Sequence, residues 1–310
     1  MNFDEFKNEL KDSLYEYFGP EKHIVFSSVM KQNGIKLTGV NIFTEDTNIT
    51  PAIYINSYFE QYKKGRYFQS IVDEIISIYN EYSVEEEIDV SWFEDYSKAK
   101  ELLFAKVLNK EKNEELLLDV PYVDFCDLAV VFYLVVDCSN CKGSILLHNC
   151  HVESWNVTKE ELLMEALANN RKKAGFVKYD IVELLLEILK ERDDENAESM
   201  IKELESDQSY GIKTAMYVLT NKDKMYGASV LLDVAGLEDF SKEIDDSFYI
   251  LPSSLHEIIA IPAKAAETPA YLESMIKEVN RNEVPDGDFL SNHLYKYERD
   301  TKRVKIMNFA

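Results

Sequence analysis

Glycine is scarce in this chain: 10 of 310 residues, no two of them two positions apart, against about 7% in a typical protein. The scarcity removes several enzyme classes. Walker loops, dinucleotide fingerprints and kinase glycine loops all bring phosphate against bare backbone N–H groups, which needs glycine at set spacings. None is present, and neither is a GxSxG nucleophile elbow. Basic residues are also in deficit. Lys and Arg number 34 against 57 Asp and Glu, so 57 − 34 leaves a net charge of −23. Such a chain is repelled by phosphate backbones and anionic membrane surfaces. The charge is explained by solubility and solvated helix faces, or more sharply by a carboxylate surface that imitates nucleic acid and occupies a basic partner. Long apolar runs are missing too. The longest, Leu128 to Val136, falls far short of the ~20 residues of a membrane-spanning helix and suits a buried strand. The N-terminus, with Phe3, Phe6, Leu10, Leu14 and Tyr17 at helical spacing, reads as an amphipathic surface helix and not as a signal peptide. The expectation is a cytoplasmic protein whose four cysteines are reduced thiols.

What is present is a mixture of helix and strand. With 46% hydrophobic residues the chain can bury a core. Runs 23–31 and 34–44 flank Gln32-Asn33-Gly34, a hairpin signal, and residues 52–56 read as a third strand. Helical spacing covers 58–82, then about 96–109. Strands are expected at 127–136 and 143–148. Thr158 and Glu161 form a capping-box pattern before an apolar-periodic helix, and 179–192 is a further helix. Residues 191–206 are mostly charged. Strands at 215–221 and 227–233, a helix at 237–244, strands at 248–254 and 256–263, a helix from Pro269 to about Val279, and a closing hairpin around 299–302 complete the reading. Strands arrive as adjacent hairpins, which points to an α+β fold with antiparallel sheets flanked by helices. A division near the charged stretch 110–115 gives an N-terminal region, 1–115, and a C-terminal region, 116–310, or the two form one continuous domain.

Cys138, Cys141, His148, Cys150 and His151 resemble a zinc ligand set. Against that, the cysteines sit at a hairpin tip and the histidines at the far end of the return strand. About six residues at about 3.3 Å each separate them by roughly 20 Å, so no metal and no cofactor is expected. His256-Glu257 is half of a zincin motif whose second histidine position holds Ala260. Three strand ends carry short polar clusters: Asn56 with Ser57, Asn221 with Lys222, and Ser253, Ser254, His256 and Glu257. Each reads as a turn on its own. Jointly they are the candidate site, on the expectation that at least two of them meet on one surface. Ser253 or Ser254 with His256 offers a nucleophile and base for a hydrolase.

The segments PAIYINSYFEQYKKG, DLAVVFYLVV, WNVTKEELLMEALAN, MYVLTNKDKMYGASVLL and FYILPSSLHEIIAIPA, with the closing hairpin, resemble an uncharacterised domain-of-unknown-function family of anaerobic Gram-positive bacteria, often met near mobile elements. The resemblance runs over nearly the whole chain. It implies a bacterial cytoplasmic protein and supplies no catalytic residue, cofactor or substrate. The leading reading is a non-enzymatic protein-interaction or regulatory module with another protein as partner, binding neither nucleic acid nor membrane, its oligomeric state left open. The alternatives are an acidic decoy of a nucleic-acid-binding protein and a hydrolase built on Ser253/His256. With 23 net negative charges there is no counterion-release term to drive duplex binding. A gel shift at physiological salt should show free DNA unbound; micromolar affinity with a steep salt slope would contradict the charge argument.

Overall fold

A computed structural model gives the fold and describes residues 1–44, 50–83, 89–138, 141–190, 216–252 and 254–307. It is α+β, with antiparallel sheets arranged as hairpins and flanked by helices. The chain divides into two compact units. The first holds residues 1–98 with 136–143, the second 99–135 with 144–310.

In the first unit, helix α1 (Phe3–Phe18) starts at a capping box in which Asn2 Oδ1 accepts the Glu5 N–H and the Glu5 carboxylate accepts the Asn2 N–H. Both orphan donors of the first turn are thereby satisfied. Strands β1 (His23–Met30) and β2 (Lys36–Phe43) form the hairpin expected from Asn33-Gly34, closed by a 3-10 turn with both residues at positive φ. The short β3 (Ile53–Tyr54) pairs with β2. The helical stretch at 58–82 is two helices, α2 (Asn56–Lys63) and α3 (Phe68–Tyr82), broken at Gly65, whose φ is +97°. The core takes Phe6, Leu10 and Leu14 from α1, Val40 and Ile42 from β2, and Ile71 and Ile75 from α3. Tyr17, placed by its spacing on the same stripe, is 59% exposed.

In the second unit, β4 (Leu103–Asn109) and β5 (Tyr122–Phe125) flank the long β6 (Leu128–Cys138), and β7 (Cys141–Leu146) pairs with β6 as well; residues 136–143, the end of β6 and the start of β7, are counted with the first unit. Consecutive β6 residues from Leu128 to Leu134 are buried. Both faces of the strand are covered, which is why its sequence is continuously apolar. A six-stranded sheet runs in the order β13-β12-β10-β11-β9-β8, built from β8 (Val177–Asp180), β9 (Tyr217–Thr220), β10 (Phe248–Leu251), β11 (Ile258–Pro262), β12 (Tyr295–Glu298) and β13 (Arg303–Ile306), every pairing antiparallel. One face buries Phe248, Ile250, Ile258 and Leu219. Helix Val234–Glu243 sets Phe240 edge-on to Phe248, with ring centroids 5.0 Å apart. On the other face Leu251, Ile261 and Leu294 form a cluster with Leu272 and Ile276 of helix Pro269–Asn282.

The structure corrects two sequence expectations. Residues 96–109 are not one helix: one turn, Tyr96–Ala99, passes through a 3-10 turn into β4. Pairing of Leu103–Asn109 with the buried β6 overrides local helical preference. Residues 227–232 are a 3-10 helix and not a strand, for a reason given below. The charged stretch 110–115 is a 3-10 turn leading into the short helix Glu114–Leu117. The expectation for 191–206 lies outside the described residues.

Because Leu10 is fully buried and Tyr17 is not, Leu10→Ala should destabilise by about 2–5 kcal/mol. Tyr17→Ala should cost far less. Urea unfolding of the two variants, compared with the parent, checks the contrast.

Candidate functional site

Two of the three polar clusters come together, both within the second unit. Strand β9 ends at Thr220, whose hydroxyl donates to the His256 carbonyl (2.7 Å). The Asn221 side chain donates to the Met225 carbonyl (2.9 Å), and the Tyr226 N–H donates to His256 Nδ1 (3.4 Å). The Tyr226 ring stacks on the His256 ring, with centroids 5.9 Å apart and planes 13° apart. Buried Lys106 brings its Nζ to 3.9 Å from the centre of the Tyr226 ring, a cation–π contact shielded from water. The third cluster belongs to the first unit, where Asn56 Oδ1 accepts the Thr38 N–H (2.7 Å) and prolongs the β2–β3 ladder, and Ser57 beside it is exposed.

The bonding at His256 sets what the group can do. Its Nδ1 is an acceptor, so the ring proton sits on Nε2, which faces Asp288 Oδ1 at 3.5 Å. The Ser254 hydroxyl donates to Glu257 (2.7 Å) and accepts the His256 N–H (2.9 Å). A serine nucleophile needs the histidine ring to take its proton. Here the proton goes to a neighbouring carboxylate and both ring nitrogens face elsewhere. Ser253 lies outside the described residues. Lys222 is exposed, and its N–H donates to the Ala174 carbonyl (3.0 Å).

That bond joins the loop to a feature the sequence reading missed. Helix Lys159–Asn169, opened by the Thr158/Glu161 capping box, runs into a π-helical turn, Asn170–Ala174. Two asparagines hold the turn. Asn169 donates to the carbonyls of Lys100 and Leu103 (2.8 Å each), and Asn170 exchanges both amide hydrogen bonds with the Ala105 backbone. Between this turn, the 3-10 helix Gly227–Leu232 and the start of helix Val234–Glu243 lies a cavity of about 500 Å³. Its volume is in the range of small-molecule sites. Leu167, Ala174, Val230, Leu232, Val234 and Ala235 give it apolar walls; Asn170, Arg171, Ser229, Asp233 and Glu238 supply polar groups. Asp233 Oδ1 caps the helix by accepting the Gly236 N–H (3.0 Å). Glu238 is gripped by Lys242 and Lys302 (2.9 Å each), which hold its carboxyl down to about 2.

Two further polar groupings are structural. Asp127 accepts the Ser291 hydroxyl (2.7 Å) and the Tyr295 phenol, and its Oδ2 lies 3.1 Å from His293 Nδ1. Ser, His and Asp are all there, but the fully buried serine donates directly to the acid. Burial and the Asp127 charge push the Tyr295 phenol well above its usual range. In the zinc-like segment, His148 Nδ1 bonds Asp119 Oδ2 (2.7 Å) and His151 Nδ1 accepts the His148 N–H (3.1 Å), so both histidines brace a helix start. Burial, then the His148 charge, holds the His151 imidazole below its usual range. Cys138 ends β6 and Cys141 begins β7. Among the described residues no three His, Cys, Asp or Glu groups are placed to hold a metal ion, and no helix is long and apolar enough to cross a membrane.

Residues 3–299 match the model of a family described as a family of unknown function, DUF5688, and the chain belongs to that family. No curated protein and no solved structure matches it.

The loop carrying this arrangement depends on one missing methyl group. A Cβ on Gly227 would stand 2.0 Å from Thr220 Oγ1 and 2.2 Å from the His256 carbonyl oxygen. Gly227→Ala should cost more than about 3 kcal/mol, as overpacking against backbone does. A thermal melt showing an unchanged midpoint would contradict the close approach.

Proposed function

We propose that this member of DUF5688 is a non-enzymatic binding protein, an interaction or regulatory module that works in the cytoplasm with another protein as its partner. The carrying observation is the bonding at Ser254 and His256, where the serine proton is committed to Glu257 and the imidazole to Tyr226 and Asp288. The group that most resembles a nucleophile and its base thus serves to join β9 to β11. The net charge of −23 supports a partner other than nucleic acid or an anionic membrane.

The test pairs a catalytic and a binding readout. Hydrolysis of p-nitrophenyl acetate by the full chain should match the slow background of any protein surface and be unchanged in His256→Gln. Quantitative co-purification from the source organism should recover one partner in constant ratio. Saturable turnover lost in His256→Gln would overturn the reading in favour of a hydrolase.

A further inference from the structure

The cavity beside the π-helical turn holds polar groups that the fold does not use. Among the described residues, the Arg171 guanidinium makes neither hydrogen bond nor ion pair, although it lines the cavity. Its sequence neighbour Lys173 is paired with Glu101 and bonds its backbone carbonyl. Ser229, 7% exposed, places its hydroxyl in the same wall. The two carboxylates in the wall are already engaged, Asp233 by the helix cap and Glu238 by two lysines. Arg171, the cation of this lining, has no carboxylate paired to it among the described residues.

We infer that this cavity binds a small amphipathic carboxylate, its apolar chain against Leu167, Val230, Leu232 and Val234 and its carboxylate on Arg171. The chemistry selects each part. The walls are aliphatic, and Val234, at 57% exposure, leaves apolar surface open at the site, which a hydrocarbon chain would cover. A guanidinium presents a planar fork that matches a carboxylate. A phosphate dianion fits less well, because it would bring a second negative charge toward Asp233 and Glu238. An amine would leave Arg171 unmatched and add repulsion. The buried Ser229 hydroxyl is a further donor for the head group. The anchoring of Asn169 and Asn170 on β4, with the Lys222 bond to Ala174, keeps this wall in place without a ligand, so little ordering opposes binding. The inference rests on the binding reading above and adds a ligand class to it.

Octanoate, 1-octanol and octylamine share one chain and differ in head group. Titration calorimetry on the full chain should rank octanoate first, and amide chemical-shift changes should map to 167–175 and 229–235. Arg171→Gln, at an exposed position with no ion pair among the described residues, should leave the melting temperature unchanged. It should weaken octanoate about tenfold or more and leave octanol unaffected. Arg171→Lys should fall between. Ala235→Phe, which fills the cavity, should abolish binding of both. An N-acetylated tripeptide ending in leucine separates a free acid from a peptide C-terminus as the source of the carboxylate, and octanoate should bind tighter than it. The inference is overturned if octanoate does not saturate, if it binds no better than octanol, if Arg171→Gln binds it equally, if shifts map elsewhere, or if the peptide wins. Absence of octanoate binding would leave the esterase result of the preceding section standing, and His256-dependent turnover would sink that reading whatever octanoate does.

Discussion

The second unit depends on a backbone pinch. Strand β9 ends at Thr220, and seven residues later Gly227 passes so close to Thr220 and to the His256 carbonyl that no side chain fits between them. The pinch is held from both sides, by the Thr220 hydroxyl on His256 and by the Ala228 N–H on the Leu255 carbonyl (3.1 Å). Turning the chain back this tightly places Lys224 and Tyr226 at φ near +52° and +53°. Non-glycine residues take that conformation at a cost, so surrounding contacts must hold it. The Tyr226 ring is held by His256 on one contact and Lys106 on another. The 3-10 helix, the Asp233 cap and helix Val234–Glu243 follow in order, and the cavity is the space they leave against the π-helical turn.

Asparagine does much of the joining elsewhere in this unit. Asn109 donates to the Leu290 carbonyl, Asn113 to Asn109, Asn169 and Asn170 to the region entering β4 and to β4 itself, and Asn280 to Ser291. A buried amide satisfies backbone groups that strand edges and helix ends leave open, and it brings no charge into the core. In a chain with 57 carboxylates that separation has value: the acids stay at the surface while neutral amides carry the internal polar bonds. Asp127 is one of the half-buried acids, and it is met by two hydroxyls and an imidazole.

What the sequence made legible followed from local chemistry. Asn33-Gly34 announced its hairpin because both residues must take positive φ, and Thr158 with Glu161 announced its helix because each satisfies the other's backbone donor. The expectation failed where long-range pairing decided. Leu103–Asn109 is a strand buried almost throughout, yet the same stretch reads as helix until β6 is known to lie beside it. GASVLL reads as a strand because its residues are apolar; it is a 3-10 helix because Gly227 is pinned at a turn that no local pattern records. The short strands β5 and β8 were not read, and β8 overlaps the stretch 179–192 whose apolar spacing reads as helix. The Asn221 and His256 clusters were legible as polar strand ends, and their meeting required the β9–β11 pairing. The cavity was not legible at all, since its walls come from two stretches far apart in sequence, 167–175 and 229–238, and its polar groups are ordinary residue types.

The charge balance gives the cavity its meaning. Acids outnumber bases by 57 to 34, and several cations of the described residues have a carboxylate beside them. Lys178 pairs with Glu243, Lys242 and Lys302 share Glu238, and Arg299 meets Asp245. Among the described residues Arg171 has no such partner, although it lines a cavity whose wall contains two carboxylates. Both acids are committed by their own element: Asp233 must cap the helix that follows it, and Glu238, one turn further on, faces lysines from its own helix and from the closing hairpin. These bonds hold both carboxylates in place, and among the described residues the Arg171 guanidinium is left without a partner beside apolar walls. Desolvating that fork without a partner would be costly, so an occupant that covers the walls must also bring the matching charge.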